Sequence, residues 1–181
     1  MSNSTRRGRT GSAIALVATG AAAGGALAAV ALRGRRRPGR AATDGKLIAR
    51  WVIEEPWKGN WHVLDRHVSP TYIGHDLAEA ESRPGPAAVR ASLERYAHAF
   101  PDGRLSVEDQ IAEGGTVTSR WTFSGTQTGD LDGIPPTGKQ VTVAGMTISR
   151  IDGDLVVEEW TSWDRLGILV QLGAVSEPAH A

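Results

Sequence analysis

Asp164 is the residue whose setting in this chain most suggests chemistry. It closes an alternating run of branched and aromatic residues, Leu155 to Trp163, where the pattern turns helical. Trp160 and Trp163 precede it, and Leu166, Ile168, Leu169 and Val170 follow, so its surroundings should be poorly hydrated. A carboxyl group buried without a cationic partner has a raised pKa, which suits it to proton transfer. The same position is an equally good N-cap for a helix over Arg165 to Leu172. Alternation puts Glu158, Trp160 and Ser162 on the strand face that carries Asp164. If that face lines a cavity, Glu158 is a candidate second acid; its simpler reading is a solvated residue near a sheet edge.

The histidines offer less. His75 follows a short β-prone segment, Thr71-Tyr72-Ile73, and is a candidate to orient a ligand carbonyl or tune Asp164, with a surface-loop role as the rival. His62 and His67 are five apart and do not share a helix face as paired metal ligands would, so no metal site is expected. His98 sits near a helix end, where the terminal carbonyls explain it. Trp121 and Phe123 share one face of their strand, and Met146 and Ile148 one face of another. Core packing is the default for such residues, but with Tyr72 they are also the expected walls of an apolar pocket. Six tryptophans favour a planar hydrophobic ligand. GTQTG and GIPPTG lack the spacing of a phosphate-binding loop and read as rigid connections.

These side chains need a scaffold. A helix from Thr43 or Asp44 to Glu55 is predicted from Leu47, Ile48, Trp51 and Val52, ending at Pro56. A second, short helix begins at Asn60, with Trp61, Leu64 and Val68 on one face, and stops at Ser69-Pro70. The third starts at Pro86, carries Val89, Leu93, Tyr96 and Phe100, and closes at Pro101-Asp102-Gly103. From Arg104 the period is two, giving strands Arg104 to Ala112, Thr116 to Gly125, Gln140 to Ile151 and Leu155 to Trp163. Glu113-Gly114-Gly115 and Asp152-Gly153 read as hairpin junctions. Helices followed by an antiparallel meander indicate an α+β fold, three helices covering a curved sheet around a conical cavity.

Composition bounds the class. The chain has no cysteine, hence no disulfide framework and no thiolate site. Its formal charge of zero is uneven: eight arginines precede the first acid, Asp44, and residues 43–181 hold 12 basic against 20 acidic groups, a net of −8. A nucleic-acid partner for the folded part is therefore disfavoured. The domain organisation predicted is a basic N-terminus 1–10, a hydrophobic segment 11–32, a basic linker 33–42, one domain 43–174 and a tail 175–181. Gly11 to Leu32 is 22 residues without a charge, flanked by arginines, and of marginal hydrophobicity. A membrane anchor leads on length and flanks, over an export signal or an unstructured leader. Arg33, Arg35, Arg36, Arg37 and Arg40 would then keep the domain cytoplasmic. The Gly20/Gly24 pair adds little in so Ala/Gly-rich a run.

Several ordered blocks resemble one family. EEPWKGNWHVLDRHVSPTYIGHD (54–76), FPD (100–102), GTQTGDLDGIPPTGK (125–139) and R-x-x-G-x-x-V-x-E-x-W-x-x-x-D-x-x-G-x-x-x-Q-L-G (150–173) are together similar to the SnoaL-like polyketide cyclases, also called ester cyclases. The resemblance covers about residues 44–174. It implies an NTF2-like α+β cone, and an acid/base role for Asp164 in an intramolecular aldol closure that uses no metal or organic cofactor. His75 falls where the family often has a histidine. Two positions depart from the pattern: Gln127 stands where the loop often has His, and Trp57 where a polar residue usually precedes the Gly-Asn pair. Both are candidate pocket residues. Cones of this kind often pair through the outer sheet face, so a homodimer is compatible with the resemblance.

The leading expectation is an enzyme acting on a small hydrophobic carbonyl compound. The alternatives are a catalytically silent ligand-binding module tethered to the membrane, or an isomerase or hydrolase on the same scaffold. An open pocket with Asp164 at its floor favours an enzyme. A closed, Trp-filled interior with Asp164 turned into the helix cap favours the silent module.

Overall fold

The computed structural model describes residues 38–76 and 84–176. The predicted hydrophobic segment 11–32 lies outside them. Among the described residues no helix is long and apolar enough to cross a membrane.

Helix α1 spans Pro38–Glu54 and so begins inside the expected linker. Its buried face is Ile48, Ala49 and Val52. Leu47 and Trp51, predicted on that face, are largely exposed, and Trp51 rests against His67 with ring centroids 5.5 Å apart. A 3-10 turn, Glu55–Lys58, continues α1 past Pro56 and ends at Gly59, whose φ of 85° only glycine adopts easily. This turn carries Trp57 over the sheet. The Glu54 carboxylate ties the segment down by accepting from the Val107 amide at 2.8 Å.

Helix α2, His62–His67, runs straight into strand β1, Val68–Asp76. The helix ends just before the predicted stop at Ser69-Pro70, and those two residues already belong to the strand. Pro70 is tolerated because β1 is at the sheet edge, and the Thr71 amide bonds Ser69 Oγ at 3.1 Å. Helix α3, Pro86–Ala99, follows, then β2 (Arg104–Glu113), β3 (Thr116–Thr126), β4 (Gln140–Asp152), β5 (Leu155–Trp163) and α4 (Arg165–Leu172). The sheet order is β1-β5-β4-β3-β2. β2 to β5 form the predicted antiparallel meander, and β1 adds to it in parallel, pairing Ile73–Asp76 with Glu158–Thr161. That pairing was not visible in the sequence, because nothing local marks where an edge strand returns.

The inner face of the sheet carries Val107, Trp121, Phe123, Val141 and Val143, packed with Ala99, Phe100, Leu131, Ile168 and Leu172. A second cluster joins Ile48 and Val52 of α1 to Val63, Leu64, Val68, Tyr72 and Val156. The result is the α+β cone, with the helices on the inner side.

Candidate active site

Between the two clusters the cone holds a cavity of about 220 Å³. Its walls are mostly apolar, with Trp57, Tyr72, Tyr96, Trp121, Phe123 and Trp163 supplying the aromatic surface. Two glycines let these rings lie flat on the sheet. A Cβ at Gly145 would overlap the Trp121 indole, so Trp121 can cross β4 only because that position has no side chain. A Cβ at Gly74 would come within 2.9 Å of the Tyr72 hydroxyl, which passes over Gly74 toward the next strand.

Polar groups enter from the inner face of β1, β4 and β5. The Tyr72 hydroxyl meets Glu159 Oε2 at 3.0 Å, and Ser149 Oγ donates to Glu159 Oε1 at 2.6 Å. Burial pushes the Glu159 carboxyl above its ordinary range, against the opposing pull of the Ser149 and Tyr72 hydrogen bonds. Burial, with Glu159 beside it, raises the Tyr72 phenol as well, so it stays protonated. A second chain of bonds runs from Trp121 Nε1 to Thr147 Oγ1 at 3.0 Å and on to Thr161 Oγ1 at 3.1 Å. Asp76, at the end of β1, also borders the cavity and accepts from Trp163 Nε1 at 3.3 Å. The arrangement places two carboxyl groups and a phenol around an apolar space.

A sequence model of the SnoaL-like polyketide cyclases matches residues 46–172, most of the chain. The chain belongs to the SnoaL-like polyketide cyclase family. Among solved structures it is similar to a protein of Jannaschia sp. CCS1 assigned as a SnoaL-like polyketide cyclase, with TM-score 0.69 and 22% identity over 77% of this chain and 97% of that one. A protein of Acidithiobacillus ferrooxidans assigned as a polyketide cyclase is 30% identical over 74% of this chain and 96% of its own, with TM-score 0.63. AclR of Streptomyces galilaeus, assigned as a hydroxylase, gives TM-score 0.67 and 25% identity over 76% and 85% of the two chains. No protein of curated function matches.

Within this SnoaL-like cone the predicted site residues divide. Trp57, Tyr72, Trp121 and Phe123 line the cavity. Trp57 packs on Phe123 with centroids 4.7 Å apart. Asp164 does not line it; its carboxylate accepts from the Gly167 amide at 2.7 Å and caps α4. Gly167 is needed for this, because a Cβ there would strike that carboxylate. His75 also borders the cavity, but alternation turns its imidazole toward the outer face. There it stacks on Trp160 at 5.0 Å and meets Glu158 Oε1 at 3.0 Å.

Glu158, Trp160 and Ser162 share the outer face with His75, and Met146 and Ile148 are 54% and 40% exposed there. The residues that face inward on β5 are their neighbours Glu159, Thr161 and Trp163. Gln127 is fully buried but holds the loop rather than the cavity. Its Nε2 donates to the carbonyls of Gly129, Ile134 and Pro135, and its Oε1 accepts from the Thr137 amide and hydroxyl. Sequence reasoning missed Glu159, Asp76, Thr147 and Thr161. One usable signal was Gly145, since a glycine inside a strand often marks the close approach of a large group.

Proposed function

We propose that this domain carries out cofactor-independent acid–base chemistry, an intramolecular aldol closure or a related enolisation, on a small hydrophobic carbonyl compound. The observation that carries the reading is Glu159: a buried carboxyl with a raised pKa, bonded to the Tyr72 phenol on the wall of an aromatic cavity. Tyr72 donates to Glu159 Oε2 as the site stands; when a substrate carbonyl oxygen arrives the bond turns round, a neutral Glu159 donating to the Tyr72 oxygen while the phenol proton goes to the substrate. Asp76 removes a proton from the carbon next to that carbonyl, and Tyr72 stabilises the enolate oxygen. The enolate carbon then bonds to a second carbonyl carbon of the same molecule. Protonated Asp76 returns its proton to the alkoxide so formed, and every group ends as it began. Holding the two carbonyls together supplies much of the rate.

The silent binding module is favoured by one observation, the use of Asp164 as a helix cap. The cavity is nevertheless open to a ligand, so the two features expected to travel together are separated here. Exchange of the α-protons of α-tetralone for deuterium, followed by NMR, tests both readings. The parent protein should accelerate exchange, Asp76→Asn should lower it by about 10²- to 10⁴-fold, and Asp164→Asn should retain it. Exchange that survives in Asp76→Asn, or is abolished in Asp164→Asn, removes the mechanism. Tight binding of α-tetralone without exchange would identify the silent module.

A further inference from the structure

Tyr96, Trp163 and Ile168 border the main cavity on one side and a second cavity, of about 130 Å³, on the other. Tyr96 meets Trp163 edge-on, with centroids 5.6 Å apart and planes at 87°, so the partition is one side chain thick. The second cavity is walled further by α4 and by the loop whose geometry Gln127 fixes. Asp132 and Arg165 are its charged residues. Arg165 reaches Asp132 Oδ2 at 3.3 Å, and Arg95, whose guanidinium lies 5.0 Å over the Tyr96 ring, reaches Oδ1 at 3.6 Å. Asp132 has a φ of 52°, in the left-handed region, and its carboxylate lies between the two arginines.

Two observations say what this cavity would take. The Tyr96 hydroxyl, on a residue that borders both cavities, is buried and has no hydrogen-bond partner, as is the case for Trp57 Nε1 on the main cavity alone. Beside the Tyr96 ring two guanidinium groups, of Arg95 and Arg165, flank the single carboxylate of Asp132. We propose that the second cavity is a subsite for a carboxylate carried by the substrate, which passes Tyr96 and Trp163 and is held by the Arg165 guanidinium and the Tyr96 hydroxyl. The substrate is then a hydrophobic carbonyl compound with an acidic side arm. This rests on the reading of the main cavity as the seat of the apolar body. A carboxylate would supply the acceptor Tyr96 lacks and compete with Asp132 for Arg165.

Calorimetric titration of the full chain with naphthylbutyric acid and with its methyl ester tests the subsite. The acid should bind about tenfold more tightly than the ester, since hydrogen bonds to a charged group are the stronger kind. That ratio should fall to near one in Arg165→Gln. In Asp132→Asn it should rise, because the competing charge is gone and asparagine tolerates the left-handed backbone. General damage to the fold would weaken both ligands and leave the ratio unmoved. Equal affinities in the parent protein, a ratio unchanged in Arg165→Gln, or one that falls in Asp132→Asn would each overturn the subsite. Binding is read without turnover, so a failed Asp76 experiment removes the acid–base reading alone, and an ester that binds as well as the acid removes the subsite alone.

Discussion

Glu158 and Glu159 are adjacent on β5 and live in different solvents. Glu158 points out of the cone, where it meets His75 and accepts from an exposed Arg150 at 2.8 Å. Glu159 points in, is buried, and has two hydroxyls for partners. The same contrast holds on β1, where Asp76 faces the cavity and His75 stacks on Trp160 outside it. Ion pairs in water contribute little, because solvent already satisfies both charges. A carboxyl taken out of water gives up that hydration and prefers its neutral form. One step along a strand therefore separates an acid paired with outer-face cations from one whose burial favours holding a proton.

The largest break in this comparison should come on β1. In the α-tetralone exchange assay the inward Asp76→Asn should lose about 10²- to 10⁴-fold, while the outward His75→Ala should stay within about twofold. Equal losses in the two variants would mean that the faces do not differ in function.

The glutamates should differ next, in stability. Glu159→Ala strands the Tyr72 and Ser149 hydroxyls in the interior and should cost about 1–3 kcal/mol in urea unfolding. Glu158→Ala should cost about 0–1 kcal/mol. The pH dependence separates them further. The folded chain holds the Glu159 proton above the ordinary value of 4.5, where the unfolded chain has released it. The stability this group contributes is full below pH 4.5 and is lost as pH rises through its raised folded value. Glu159→Gln, which imitates the neutral acid, should therefore show a flatter urea midpoint across that window than the parent. Parallel curves would show that Glu159 is ionised throughout.

Much of the architecture was legible because periodicity is a local signal. The bounds of β5 and α4 follow from where period two gives way to a helical pattern, and the order of helices and strands fixes the cone. The phase of β5 was not legible. Both of its faces carry large residues, Trp160 outside and Trp163 inside, so alternation groups Glu158 with Trp160 and Ser162 correctly but cannot say which group sees the cavity. Strand β4 poses the same difficulty, with Val141 and Val143 within and Met146 and Ile148 without. That choice depends on the return of β1, and hence on contacts between residues about 85 positions apart, such as Tyr72 with Glu159.

Gly145 sharpens the comparison at a middle scale. It faces inward beneath the Trp121 indole, and a methyl group there must push the ring off the sheet. Gly145→Ala should cost about 1–3 kcal/mol and break the bond from Trp121 Nε1 to Thr147, which shortens the hydroxyl chain toward Thr161. Ala144, on the opposite face, is the control: Ala144→Gly should cost about 0.5–1 kcal/mol, through backbone freedom alone. Indole fluorescence during unfolding reports both. Similar losses would show that Trp121 can move aside freely.

The smallest effect belongs to Asp164, the residue that the sequence singled out. Its role as a cap makes a prediction that a catalytic role does not. Asp164→Ala removes the acceptor for the Gly167 amide and should cost about 1 kcal/mol, a fall of about 3 °C in melting temperature. Asp164→Asn keeps an oxygen at the same place and should lose only a few tenths of that, since asparagine caps as well as aspartate. In the exchange assay both variants should remain active once folded. Asparagine cannot replace a carboxylate that takes a proton, so a stable Asp164→Asn variant without exchange would place the working acid back at the mouth of α4. It would also make the inward face of β5 a wall rather than a catalyst.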